Sequence, residues 1–323
     1  MNKYSLLKKV LTFLILAFIL LSIPTVMRDP YFIHIFIMMG INIILCASLR
    51  MSHMTGIWNL GQIAFYAIGA CILTMLRIKY HISFWLLLPL SGVVTALVAI
   101  GLGYLTIRVR GLYFVMLTMA FVEVIRLTIM AIPFFGAIRF NAIPPPNSIN
   151  IPHLIRIEFI SKASYYYLIL VMVVIILTIL YLIERSRVGE TFKSIASSDP
   201  LCESVGVNTT IYRVMAFAIC SFFAGVAGGL YAPYIGLIAP GNFTTWASIM
   251  VFMSLVIGGT GSFWGPVIGA AFMTILPEAL RDAVKYEPMI SAVILILIIF
   301  FLPGGLASLP STIRSKMRKN QKR

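Results

Sequence analysis

Acid is scarce in this sequence. Ten Asp and Glu stand against 25 Lys and Arg, and charged residues of both signs make up 11% of the 323 positions, where a soluble domain carries about 25%. So few charges cannot clothe a soluble surface, and 60% hydrophobic residues with a mean hydropathy of +1.00 point to a polytopic membrane protein. Cysteine is sparse too. Cys46, Cys71, Cys202 and Cys220 have neither metal nor redox spacing, so a disulfide framework is excluded and packing is the reading. His34, His53, His81 and His153 are scattered. No HExxH, no nucleophile elbow and no glycine-rich loop ending in Lys-Ser/Thr is present, so the sequence calls for no metal, no cofactor and no catalytic residue.

The surplus of base, +15 overall, lies at the ends of apolar runs. Lys3, Lys8, Lys9, Arg50, Arg108, Arg110, Arg185, Arg187, Lys193 and Arg213 flank such runs, and Arg314 to Arg323 make a basic tail over 310–323. That is the positive-inside pattern and not a nucleic-acid stripe; the tail suits anionic membrane lipid. Apolar runs over 10–27, 31–49, 60–76, 84–107, 112–135, 165–183, 212–232, 246–257, 265–280 and 289–302 predict an all-α bundle of about eight to ten transmembrane helices in one domain, 1–323. The first run resembles a signal peptide but lacks a small-x-small cleavage site, so it is read as an uncleaved span. Residues 51–59 are semi-polar, an interfacial or re-entrant piece. Residues 136–164 form a loop stiffened by Pro144-Pro145-Pro146. With both termini inside, 16 of the 25 Lys and Arg fall on the inner side; Arg77 and Lys79 fall on the other.

One polar stretch, 184–213, interrupts the apolar chain. Asp199 and Pro200 read as a helix start, Asp as a cap and Pro pre-set for the first turn. Gly206 suits the helix end. An upstream helix over 188–196 would place Phe192, Ile195 and Ala196 on one side. Two short helices with apolar studs suit docking into another protein's groove; the alternative is an ordinary loop.

Within the runs, polar groups are few. Asn42, Gln62, Tyr66 and Thr118 either join helices or line a polar path, and Gln62 and Tyr66 share a face at i, i+4. Glu123 and Arg126 stand three apart inside the fifth run, where an ionisable group is a functional candidate; a mutual ion pair and a substrate contact are both open. Ser221, Gly225 and Gly229 repeat at helix spacing, as do Gly265 and Gly269, and let helices approach closely. The break Gly258-Gly259-Thr260-Gly261-Ser262-Phe263-Trp264-Gly265-Pro266 either lines a pathway or makes a turn.

Several stretches together carry a resemblance over about residues 31–309. They are Leu60-Gly61-Gln62-Ile63-Ala64-Phe65-Tyr66, Arg108-Val109-Arg110-Gly111-Leu112-Tyr113 with Glu123 and Arg126, Glu184-Arg185-Ser186-Arg187-Val188-Gly189, Ser204-Val205-Gly206-Val207-Asn208, and the glycine-rich break with Gly269. The chain resembles the LivM-type permease subunits of bacterial ATP-binding-cassette importers for branched-chain amino acids. It departs at Glu203-Ser204-Val205-Gly206, where the family shows Glu-Ala-Leu-Gly, and at Phe135 to Asn141. The resemblance implies a multi-pass subunit of the bacterial cytoplasmic membrane, paired with a second, LivH-like permease. It further implies two cytoplasmic ATP-binding subunits and an extracytoplasmic binding protein. The coupling loop of the family falls on Asp199, Pro200, Leu201, Glu203, Gly206 and Asn208. Urea or short amides as cargo, a stand-alone secondary transporter and a non-transporting scaffold are the rival readings.

Overall fold

The computed structural model describes residues 29–106, 111–136, 143–151, 155–157, 159, 161–279 and 304–308, with isolated positions elsewhere. The runs expected at 10–27 and 289–302 lie outside the residues so described. Among the described residues, seven helical segments are long and apolar enough to cross a membrane. Long helices are α1 (Pro30–His53), α2 (Gln62–Tyr80), α3 (Phe84–Thr106), α4 (Leu112–Ala131) and α5 (Lys162–Arg185). The polar stretch supplies α6 (Arg187–Ser197) and α7 (Asp199–Ser204). Next come α8 (Thr209–Ile235), α9 (Thr245–Gly258) and α10 (Gly265–Ala279). A 3-10 turn at Pro240–Asn242 extends α9 backwards.

Local chemistry sets the helix starts. Asp29 accepts from Tyr31 N ahead of Pro30, Ser161 caps α5, Asn208 caps α8 and Thr244 caps α9, each satisfying a free N–H. The fifth run was expected to reach residue 135, but α4 stops at Ala131: Ile132 is extended because it precedes Pro133, which disfavours the helical region for its neighbour. The loop at 136–164 holds more order than its prolines announced. Ile149–Ile151 and Ile155–Ile157 pair antiparallel, Ile149 opposite Ile157.

Helix α8 is the hub, packed against α1, α2 and α3. Its contacts are cut by the small-residue repeat. A Cβ on Gly69 of α2 would overlap the backbone of Gly225, and one on Gly225 would strike Thr95 of α3. Gly228 lies against the Tyr66 carbonyl, and Gly229 meets Ser91 and Leu73. Gly258, Gly265 and Gly269 bring the end of α9 onto the start of α10 in the same way, Gly259 lies against Gly304 and Gly305, and Gly261 faces open space. Without a hydrophobic drive between helices in lipid, such close backbone approach is what holds the bundle.

The connections at 54–61 and 236–244 hold no α-helix, and the second carries the 3-10 turn. They enter from opposite ends of the bundle, since α1 and α8 run antiparallel, with His34 of α1 against Tyr234 near the end of α8.

Gly69→Ala should therefore lower stability by at least about 1–3 kcal/mol, the cost of overpacking a tight contact, while Gly261→Ala should stay within about 0.5 kcal/mol. Unfolding midpoints of the two variants in detergent check this.

Candidate functional site

The polar stretch folds into a small body anchored to the bundle by charge. Glu184, at the end of α5, is buried and ion-paired with Arg50 of α1, which is buried as well; Lys193 Nζ of α6 lies 3.4 Å from the other Glu184 oxygen. Gly189 is the residue that fits directly over the Glu184 carbonyl. On the far side, Arg213 Nη2 of α8 donates to both oxygens of Asp199, at 2.8 and 2.6 Å. Thr209 Oγ1 donates to Glu203 Oε1 at 2.9 Å. Gly206 sits at φ +83, the left-handed position that glycine takes without strain.

Two expectations change here. Asp199 does not cap α7: Ser198 occupies the cap position, without a side-chain bond, and Asp199 is the first helical residue, its carboxylate drawn to Arg213. Nor do Phe192 and Ile195 project as studs. Both turn inward, with Phe192 edge-on to Tyr212 at 6.4 Å, while Ala196 on the same helix stays exposed. The apolar side chains that do project are Leu201 (69% exposed), Val205 (76%) and Ile211, beside exposed Pro200. Val205 and Ile211 were missed because neither stands in a periodic apolar pattern. A depression of about 340 Å³, lined by Glu203, Gly206, Val207, Asn208, Thr209 and Thr210, adjoins them.

The polar groups at membrane depth separate into two sets. Gln62 is fully buried: its Nε2 donates to Ser48 Oγ (2.9 Å), and its Oε1 accepts from Cys220 Sγ (2.9 Å). Thr118 Oγ1, also buried, accepts from Leu60 N (3.4 Å), and Ser248 Oγ donates to the Leu60 carbonyl. Tyr66 packs on the Tyr231 and Phe243 rings at 5.3 and 5.7 Å. Asn42 Nδ2 donates to Thr274 Oγ1 of α10 at 3.0 Å. These four link helices. Glu123 and Arg126 form the second set, joined at 2.6 Å, Oε2 to Nε, with Glu123 Oε1 also taking the Thr245 hydroxyl at 2.7 Å. Among the described residues no group of three His, Cys, Asp or Glu could hold a metal ion.

Arg77, the cation on the wrong side by charge counting, is buried. It donates to the Ile82 carbonyl (2.9 Å), Asn147 Oδ1 (2.5 Å) and the Pro145 carbonyl (2.8 Å), and so pins the proline loop to the α2–α3 turn.

The family described as "Branched-chain amino acid transport system / permease component" matches residues 31–302. The chain belongs to this permease family. The permease is 27% identical to the high-affinity branched-chain amino acid transport system permease protein LivM of Salmonella typhimurium, over 87% of this chain and 68% of that protein. It is equally similar, 27%, to LivM of Escherichia coli, over 89% and 70%. Against the permease protein LivH of E. coli it is 31% identical over 42% of this chain and 44% of that one. No solved structure matches the permease. With seven candidate spans it is a multi-pass membrane protein.

Removing one partner of a buried pair leaves a charge uncompensated, at about 3–5 kcal/mol, whereas replacing both with apolar residues is often neutral. Glu184→Gln should thus destabilise the permease by that amount, and Arg50→Met with Glu184→Leu should recover most of it. A double-mutant cycle on unfolding midpoints measures both.

Proposed function

We propose that this chain is the membrane-spanning subunit of an ATP-driven importer of branched-chain amino acids, in the bacterial cytoplasmic membrane with both termini inside. A second permease of the same family pairs with it. Two cytoplasmic ATP-hydrolysing subunits and an extracytoplasmic binding protein complete the machine, and the chain itself performs no chemistry. The observation that carries the reading is the likeness to two permeases so named across nearly all of the chain.

The polar stretch supports it. A loop that transmits a pull must keep its shape, and here Arg50–Glu184 ties α1 to the end of α5, Lys193 joins α6 to the same Glu184, and Arg213–Asp199 ties α7 to α8. A docking surface needs apolar side chains free to be buried, and Leu201 and Val205, with Ile211 nearby, are left outside. Closure of the ATPase dimer would then move α7 and, through those pairs, the helices behind it. Such rocking needs contacts that differ between the two states.

ATP-dependent leucine uptake into proteoliposomes carrying this chain, its companion subunits and the binding protein tests the reading. Leu201→Asp and Val205→Asp should cut uptake about thirtyfold or more each, the weight of a buried anchor at an interface, without moving the unfolding midpoint. Uptake that survives removal of ATP would sink the importer. ATP-driven uptake of another small solute, with none of leucine, would discard the substrate alone.

A further inference from the structure

Glu123 is the twelfth of the twenty residues of α4, near the middle of a helix about 30 Å long. Its side chain is 40% exposed and that of Arg126 27%. An ionised pair half-open at that depth does not face lipid, where each charge costs several kcal/mol. It faces protein or water. The other polar groups at this depth, Gln62 and Thr118, are buried and bonded inside the bundle, so the open pair has a different task from theirs.

Its hydrogen bonding is unfinished. Arg126 meets Glu123 through Nε and the Met130 thioether through Nη1 at 3.4 Å. Among the described residues, therefore, no oxygen lies on the terminal guanidinium edge that grips carboxylates in the two-pronged mode. Glu123 keeps Thr245 as a second donor through its other oxygen, which holds the carboxylate in place if Arg126 turns away. Met116, Ala120, Leu127 and Met130 continue the same face at helix spacing, and all four are exposed.

We propose that this pair is the contact for a zwitterionic solute within the membrane. Arg126 takes the carboxylate and Glu123 the ammonium group, the two side chains exchanging each other for the solute's opposite charges, while the apolar face of α4 meets the aliphatic side chain. No bond is made or broken, and net charge at depth stays zero throughout. The face that α4 shares with the start of α9 then borders the path. This rests on the amino-acid reading above.

The test uses the full reconstituted complex with leucine as probe, comparing Glu123→Gln, Arg126→Gln and the double variant. All three should lose uptake about tenfold or more, the scale of one charge-assisted hydrogen bond, while ATP hydrolysis stimulated by the loaded binding protein persists. A pair that merely fastens α4 to α9 behaves otherwise. Each single variant then strands a charge, the double relieves it, and uptake returns in the double; that return overturns the proposal. Thr245→Cys supplies a second reading in a protein that retains the pair. A polar thiol reagent should label it in the complex and leucine should slow the labelling, whereas no labelling with or without ATP overturns the proposal. A wild-type complex that imports no leucine takes down the functional reading and this one with it. A leucine-importing wild type beside a leucine-importing double variant takes down this one alone.

Discussion

Backbone N–H and C=O groups at membrane depth must find partners in the protein, because lipid offers none. The bundle turns on how one short stretch meets that demand. Between α1 and α2 the chain leaves helical geometry at 54–61 and starts α2 at the level of Ser48. Several of its backbone groups are answered by nearby side chains. Thr118 of α4 takes Leu60 N, Ser248 of α9 binds the Leu60 carbonyl and takes Ile63 N, and Asn59 takes Gly61 N at 2.8 Å. Gln62 and Cys220 close the circle through α8. Five helices are thus held at one point by polar bonds that a water-filled interior would weaken. Glycines 69, 225 and 228 bring the backbones of α2 and α8 close enough for those bonds to reach.

At the α6–α7 end the logic is ionic. Glu184 and Asp199 bracket α6 and the start of α7, and each is bound to a cation on a long helix. These two acids are not placed for solvation. They fix a small helical body against the bundle so that only Leu201, Val205 and their neighbours stand free. Residues that share a motif therefore divide their work. Asp199 and Glu203 hold the loop, Asn208 starts α8, and Pro200 and Leu201 present it.

Much of this was legible in the residues. The helices follow from apolar length, and the close packing from the glycine spacing in α8. The break at Gly206 needed no structure. What the sequence could not disclose were pairings across long separations. Arg50 and Glu184 are 134 positions apart and looked like two ordinary flanking charges. Asp199 looked like a cap because its local chemistry allows one, and the ion pair with Arg213 overrode that preference. Phe192 and Ile195 were placed correctly on one helix face, but periodicity does not say whether a face turns toward its own bundle or a partner. The hairpin after the prolines gave no signal, since three-residue strands are too short to show alternation.

Charge counting is corrected by the same structural detail that eluded the sequence. Arg77 counted against the inside-positive pattern, yet its guanidinium is spent on the Ile82 and Pro145 carbonyls and on Asn147. Arg50 counted in favour, and it is buried on Glu184. A cation buried and bonded inside the protein reports packing and not orientation, because the rule concerns charges that remain in short loops near the membrane surface. Setting both aside removes one cation from each side, so the inner excess that supports the proposed orientation is untouched, and one of the two cations that counted against it has a structural reason to stand where it does.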